Sequence, residues 1–142
     1  MSRQQEGFTL LEILVVLAIL GIVFGLVLSS MLGFIRSNQL RDAATQVQGD
    51  LEQARSSTLR YNRPAQFRVT SASTYELLIN GQRSSRTVPN AVTLAPLNTT
   101  VDYTAPYSVM SSASQSIVLT LGSKTRRVRT VGVTGKAVVD AS

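Results

Sequence analysis

One carboxylate stands where a carboxylate is expensive. Glu12 closes the hexapeptide Gly7-Phe8-Thr9-Leu10-Leu11-Glu12 and heads an apolar run from Ile13 to Ile35, interrupted only by glycines and the pair Ser29-Ser30. An acid buried in lipid costs several kcal/mol unless a cation answers it, so Glu12 asks for a positive partner. A second chemistry-bearing set is basic: Arg126, Arg127 and Arg129, with Lys124 and Lys136 nearby, form the one dense cationic cluster and are suited to phosphate oxygens. Two acid pairs, Asp50 with Glu52 and Glu76 with Asp102, have the residue types of general acid–base work, although carboxylates on a solvated surface are the default. The chain has no Cys and no His, which removes disulfides, thiolates, imidazole bases and the commonest transition-metal ligands together. A serine nucleophile would then need a lysine base, and neither Lys124 nor Lys136 lies in a Ser-x-x-Lys context. No enzyme, cofactor or metal site is expected.

These groups must be carried by a chain of 142 residues, room for one modest globular domain once the N-terminal segment is set aside. Met1 to Gly7 is polar and too short to form an element. The apolar run that follows, about 23 residues, would reach about 35 Å as a helix, against a bilayer core of about 30 Å. It is longer than the core of a secretory signal and lacks an Ala-x-Ala site after it, so any cut lies before it. Arg3 precedes the run while Arg36 and Arg41 follow it, so positive charge alone does not choose the topology. Gly21 and Gly25 form a small-xxx-small pair of a kind common in apolar helices.

The residues Gly7 to Glu12 resemble the type III signal of type IV pilins and type II secretion pseudopilins, Gly-Phe-Thr-Leu-x-Glu before a hydrophobic helix, at every specified position. The resemblance implies a membrane peptidase that cleaves between Gly7 and Phe8 on the cytoplasmic side and methylates the new amine of Phe8. It also implies a cytoplasmic leader, an inner-membrane precursor with its domain on the other side, and partners among other pilin subunits. Glycine at the cut permits close approach to the backbone. The freed amine of Phe8, on a neighbouring subunit, is the charge Glu12 requires, and such a pair in an apolar interior selects register more than it adds stability. The alternative is a plain signal anchor, with Glu12 in the first helical turn, where an acid suits the helix dipole.

Beyond Arg36 the helix is expected to continue, since no proline occurs before Pro64. Leu40, Ala44, Val47, Leu51, Ala54, Thr58 and Tyr61 recur at alternating spacings of four and three, a stripe on one helix face. Its small residues suit a sheet better than a coiled coil. Asn62-Arg63-Pro64 ends the helix. The period then changes to two. Strands are expected at Gln66–Thr70, Tyr75–Ile79, Ala91–Ala95, Ser116–Leu121, Arg126–Val131 and Lys136–Val139, with Asn80-Gly81 a strong hairpin signal and Gly122-Ser123 and Thr134-Gly135 as turns. Pro96 to Ser116 reads as an irregular or edge-strand connection.

The fold class is therefore α+β: a long N-terminal helix packed on an antiparallel sheet, in the pilin-like arrangement the resemblance implies. The expected organisation is a cleaved leader 1–7, a membrane or filament-core helix 8–35, an amphipathic half 36–63 and a β part 64–142. Leu51-Glu52-Gln53-Ala54-Arg55-Ser56, with Arg60-Tyr61-Asn62-Arg63-Pro64, is similar to the LxxARSxAxxRNxP stretch of the GspH/FimT group of minor pilins and pseudopilins, as is Gly135-Lys136 after a strand. The cysteine pair of many relatives is missing, and no proline interrupts the apolar helix as in many major pilins. In some competence-linked relatives a basic C-terminal region captures DNA. Here Arg127 and Arg129 would share one strand face, with Arg126 and Val128 on the other; the alternative is a solvated sheet face whose arginine stems cover apolar neighbours.

Overall fold

The computed structural model describes residues 9–111 and 113–140. Helix α1 runs Leu10–Tyr61 and is followed by nine strands: β1 Ala65–Val69, β2 Thr74–Ile79, β3 Gln82–Thr87, β4 Thr93–Ala95, β5 Thr100–Thr104, β6 Val109–Met110, β7 Ser116–Leu121, β8 Lys124–Val131 and β9 Lys136–Asp140. The chain divides into two compact units, Met1–Ile35 and Arg36–Ser142. In the first, an 18-residue apolar window of α1 is long enough to cross a membrane and none of it is buried. The long helix and its antiparallel sheets make the fold α+β and pilin-like in arrangement.

The second unit has two sheets rather than one, ordered β3-β2-β1-β5-β6 and β4-β7-β8-β9, with every pairing antiparallel. One hydrophobic cluster joins them to the helix. It takes Leu40, Ala43, Ala44, Val47, Leu51 and Ala54 from α1, and Phe67, Tyr75, Leu77, Val101, Tyr103, Ile117, Leu119 and Val128 from alternate strand positions. Three alanines on the helix face let its backbone lie close to the sheets, and Phe67 stacks on Tyr75 with ring centroids 4.9 Å apart. The stripe is wider than its spacing suggested, because Ala43, Asp50 and Ser57 are buried with it, while Thr58 is buried as expected. Ser57 and Thr58 meet their own hydrogen-bonding need by donating to the carbonyl of Ala54, at 2.7 and 3.2 Å.

Three expectations are corrected. Tyr61 does not join the packed stripe: it is 43% exposed, with the Arg60 guanidinium 5.4 Å from its ring centroid. It is the last helical residue, and Asn62, at φ 50°, turns the chain away in the left-handed cap conformation. The segment Pro96 to Ser116 is only in part an irregular or edge-strand connection: β6 does form the edge of the first sheet, but β5 lies inside it between β1 and β6. Its sequence Thr-Val-Asp-Tyr-Thr alternates strictly, with Val101 and Tyr103 buried; the flanking prolines, both with cis peptide bonds, had masked it. The expected six strands are nine among the described residues: β3 is all polar, β5 is hidden between prolines, and β6 is only two residues long.

The hairpin signals are realised. Asn80 and Gly81 have φ of 52° and 80°, the double positive turn that matches strand twist, and Ile79 faces Gln82 across it. The turn between β8 and β9 is more constrained. Gly135 has φ 60°, and a Cβ there would collide with the Met110 side chain and lie 2.7 Å from the Tyr103 ring. Both strain and overlap act at this one position. Gly135→Ala is expected to lower stability by about 2–4 kcal/mol, measured by thermal unfolding of the full chain in detergent, whereas Gly132→Ala, with open space around its Cβ, loses less.

Candidate functional site

The acid that heads the apolar run sits on the first turn of α1. Thr9 precedes the helix, its hydroxyl accepts the Glu12 N–H at 3.3 Å, and its carbonyl accepts the same N–H at 3.1 Å. Thr9 and Glu12 thus occupy the N-cap and third positions of a Thr-x-x-Glu capping pattern. The Glu12 side chain is exposed, and so are the apolar side chains around it, from Leu10 to Val27. Gly7 and Phe8 lie outside the described residues.

The cationic cluster is divided by the pleat of the second sheet. Arg127 and Arg129 of β8 point outward with exposed side chains, as alternation predicts, and Lys136 of β9 joins that face opposite Val131. Asp140 lies opposite Arg127 and takes an ion pair from Arg129, Nε to carboxylate at 2.8 Å, so one of the three positive charges is balanced. Arg126 shares the inner face with Val128 and is half-buried, while Lys124 opens the strand on that same face beside the β7–β8 turn. These two line an open pocket of about 320 Å³ with Ser37, Leu40, Ser123 and Thr125. The five basic residues therefore form two groups, not one flat patch.

The acid pairs are parted. Asp50 is buried and receives the phenolic hydrogen of Tyr75 at 2.5 Å and the Arg86 guanidinium at 3.1 Å. Gln46 donates to the Tyr75 hydroxyl at 2.8 Å and to the Thr87 carbonyl at 3.2 Å. Glu52 accepts the Ala137 N–H at 2.8 Å with one oxygen and Arg55 at 3.0 Å with the other. Arg55 also donates to the Thr134 carbonyl at 2.9 Å, and Gln48 donates to the Ala137 carbonyl at 3.0 Å. Asp102 accepts from Gln66 at 2.6 Å, and Glu76 pairs with Arg83 at 3.6 Å. Each carboxylate is committed to a donor that holds the fold. The stretch Leu51 to Ser56 and the turn at Gly135-Lys136, read separately along the chain, are two halves of one contact: Leu51 and Ala54 enter the core while Glu52 and Arg55 grip the turn.

Similarity to a known family is confined to the N-terminal part of the chain. Residues 2–28 match the family described as the prokaryotic N-terminal methylation motif. This supports a prepilin-like precursor. The match takes in the hexapeptide, the residues from Ser2 that precede it and most of the apolar run, and ends before the second unit. No curated protein and no solved structure matches the chain. The motif is that of a precursor processed by prepilin peptidase, anchored by its apolar helix and assembled with other pilin-type subunits.

Burial, and then the carboxylate of Asp50, push the phenol of Tyr75 above its ordinary range; burial, and then the charge of Glu52, do the same to Tyr103. A folded-state value raised above the unfolded one gives stability that is complete below the unfolded tyrosine value of about 10 and is lost as pH rises through the folded value. Stability of the full chain in detergent should therefore fall above pH ~10. Tyr75→Phe and Tyr103→Phe should each make that fall shallower, and each should cost about 1–2 kcal/mol at neutral pH by leaving one Asp50 oxygen or the Gly135 carbonyl without its tyrosine donor. Thermal unfolding at pH 7 and 11 measures both effects.

Proposed function

We propose that the chain is a minor pilin or pseudopilin of the GspH/FimT type, cleaved between Gly7 and Phe8, methylated on Phe8 and assembled into a type IV pilus or type II secretion pseudopilus. The observation that carries this reading is a methylation motif heading an apolar helical run that the chain's own fold leaves uncovered. Such a surface needs lipid first and other subunits afterwards. Leader 1–7 lies in the cytoplasm, 8–35 spans the inner membrane or lines the filament core, 36–63 is the amphipathic half of the helix, and 64–142 completes the domain outside the cytoplasm. Glu12 receives the Phe8 amine of a neighbouring subunit and sets axial register. The grip of Glu52 and Arg55 on the last turn supports the GspH/FimT assignment, since it gives a physical reason for both stretches that resemble that group.

Two variants separate the steps. Gly7→Val should leave the precursor at full length on an immunoblot; normal cleavage would sink the leader reading. Glu12→Val should be cleaved normally but be absent from sheared filaments, and unchanged incorporation would sink the register role.

A second reading is a competence-associated minor pilin that holds DNA on the outer face of the second sheet. It is favoured by Arg127, Arg129 and Lys136 sharing that face, and opposed by the Arg129–Asp140 pair and by the placing of Lys124 and Arg126 on the inner face. Arg127→Glu with Arg129→Glu should abolish DNA uptake and leave cleavage intact. Retardation of a DNA duplex by the full chain at low salt, reduced at higher salt, is the matching binding result; no retardation at any salt removes this reading.

A further inference from the structure

The second sheet turns one face inward and leaves the other open. Ile117, Leu119, Val128 and Ala137 enter the core, so alternation sends Val118 of β7, Arg127, Arg129 and Val131 of β8, and Lys136 and Val138 of β9 to the outside. Arg127, Arg129, Val131 and Lys136 are exposed and the other two half-buried. The pairing orders them. Val131 lies opposite Lys136, and Val138, opposite Arg129, is the diagonal neighbour of Val131. Diagonal neighbours on one face stand about 7–8 Å apart, close enough for one incoming side chain to cover both. Val133, 73% exposed in the turn that follows β8, adds a third apolar group two residues beyond Val131, which is itself 42% exposed.

The cations that border these valines are unequal. Arg129 is answered by Asp140 at 2.8 Å, whereas Arg127 and Lys136 make no ion pair among the described residues. Every basic residue of the chain except Arg3, and every acid except Glu6 and Glu12, lies beyond Ile35, so the second unit holds the chain's whole positive excess. A second copy of the domain would therefore bring like charges together on this face. DNA fits poorly as well: two free cations give few phosphate contacts, Asp140 repels phosphate, and the valines offer bases nothing to stack on. Cations around exposed β-branched side chains are instead the makeup of a protein interface, apolar at its middle and charged at its rim.

We propose that the outer face of β8 and β9 docks another protein subunit whose own surface sets carboxylates around apolar side chains. Its carboxylates meet Arg127 and Lys136 and fix the register, while its apolar groups cover Val131, Val133 and Val138. The proposal rests on the reading of the chain as a subunit assembled with others, and it gives to a protein the face that the DNA-holding alternative would use.

The test places a photo-reactive benzophenone amino acid at Val131 of the full chain, illuminates the intact producing cells, and identifies each adduct and its point of attachment by mass spectrometry. A single adduct with a different protein is expected, attached within a segment that carries Asp or Glu. Arg127→Glu with Lys136→Glu should lower its yield about tenfold while leaving the thermal unfolding midpoint of the full chain in detergent unchanged. Changing the partner's mapped carboxylates to Lys should then restore the yield. The same probe at Ser85, on the exposed strand β3, should give no such adduct. An adduct with a second copy of this chain, an adduct removed by nuclease, a yield indifferent to charge reversal, an equal yield from Ser85, or no adduct at all would each overturn the proposal. Recovery of the parent chain in sheared filaments is measured alongside. Filaments that contain the chain while Val131 gives no adduct sink the docking face alone, whereas absence of the chain from filaments sinks the subunit reading itself.

Discussion

Both backbone groups of Ala137 are taken by the helix: Glu52 accepts its N–H and Gln48 donates to its carbonyl. On this contact the rest of the domain depends, because β9 pairs only with β8 and is the last strand of its sheet. Unpaired backbone groups beside a core are costly. At the first sheet, Gln46 does similar work on the Thr87 carbonyl of β3, also an edge strand. Polar side chains flanking the apolar stripe of α1 thus lace the helix to one edge of each sheet. In a chain with no cysteine, this lacing holds the C-terminal hairpin where a disulfide is absent.

Why the helix carries buried polar groups follows from the same geometry. Asp50 lies on the core-facing side, yet its two oxygens are occupied by Tyr75 and Arg86, so its charge is answered by a cation and a hydroxyl. The arrangement ties α1 to β2 and β3 through directional contacts that the alanine face does not provide. Arg86 is partly exposed, so the pair is not sealed from water and its net contribution is modest. Its larger effect is specificity of seating: sliding α1 along the sheets would separate Asp50 from both partners.

Much of this was legible in the sequence. The helix, its end at Asn62-Arg63-Pro64, the hairpin at Asn80-Gly81 and the opposed faces of β8 all follow from spacing and turn chemistry, which act over a few residues. What was not legible depends on distant partners. Nothing local in Glu52 or Asp50 distinguishes a surface carboxylate from one bound to Ala137 or Tyr75, since those partners are supplied by folding. The division into two sheets likewise arises where the chain crosses between them, in stretches rich in proline and small polar residues. Alternation correctly put Arg126 and Arg127 on opposite faces. It could not show that the inner face extends past the helix stripe into an open pocket beside Ser37.

The six side chains of β3, Gln82 to Thr87, are all exposed and all polar, and two are arginines. Strands of that kind resist pairing with a copy of themselves, because pairing would hide no apolar surface and would desolvate polar side chains. Crowding raises the importance of this. Subunits concentrated side by side, whether in a bilayer or along a fibre, collide far more often than dilute proteins do. A sticky sheet border would let them join irreversibly in the wrong way. A chain whose apolar helical run is left uncovered thus has, on its domain, a border that discourages association through the sheet edge.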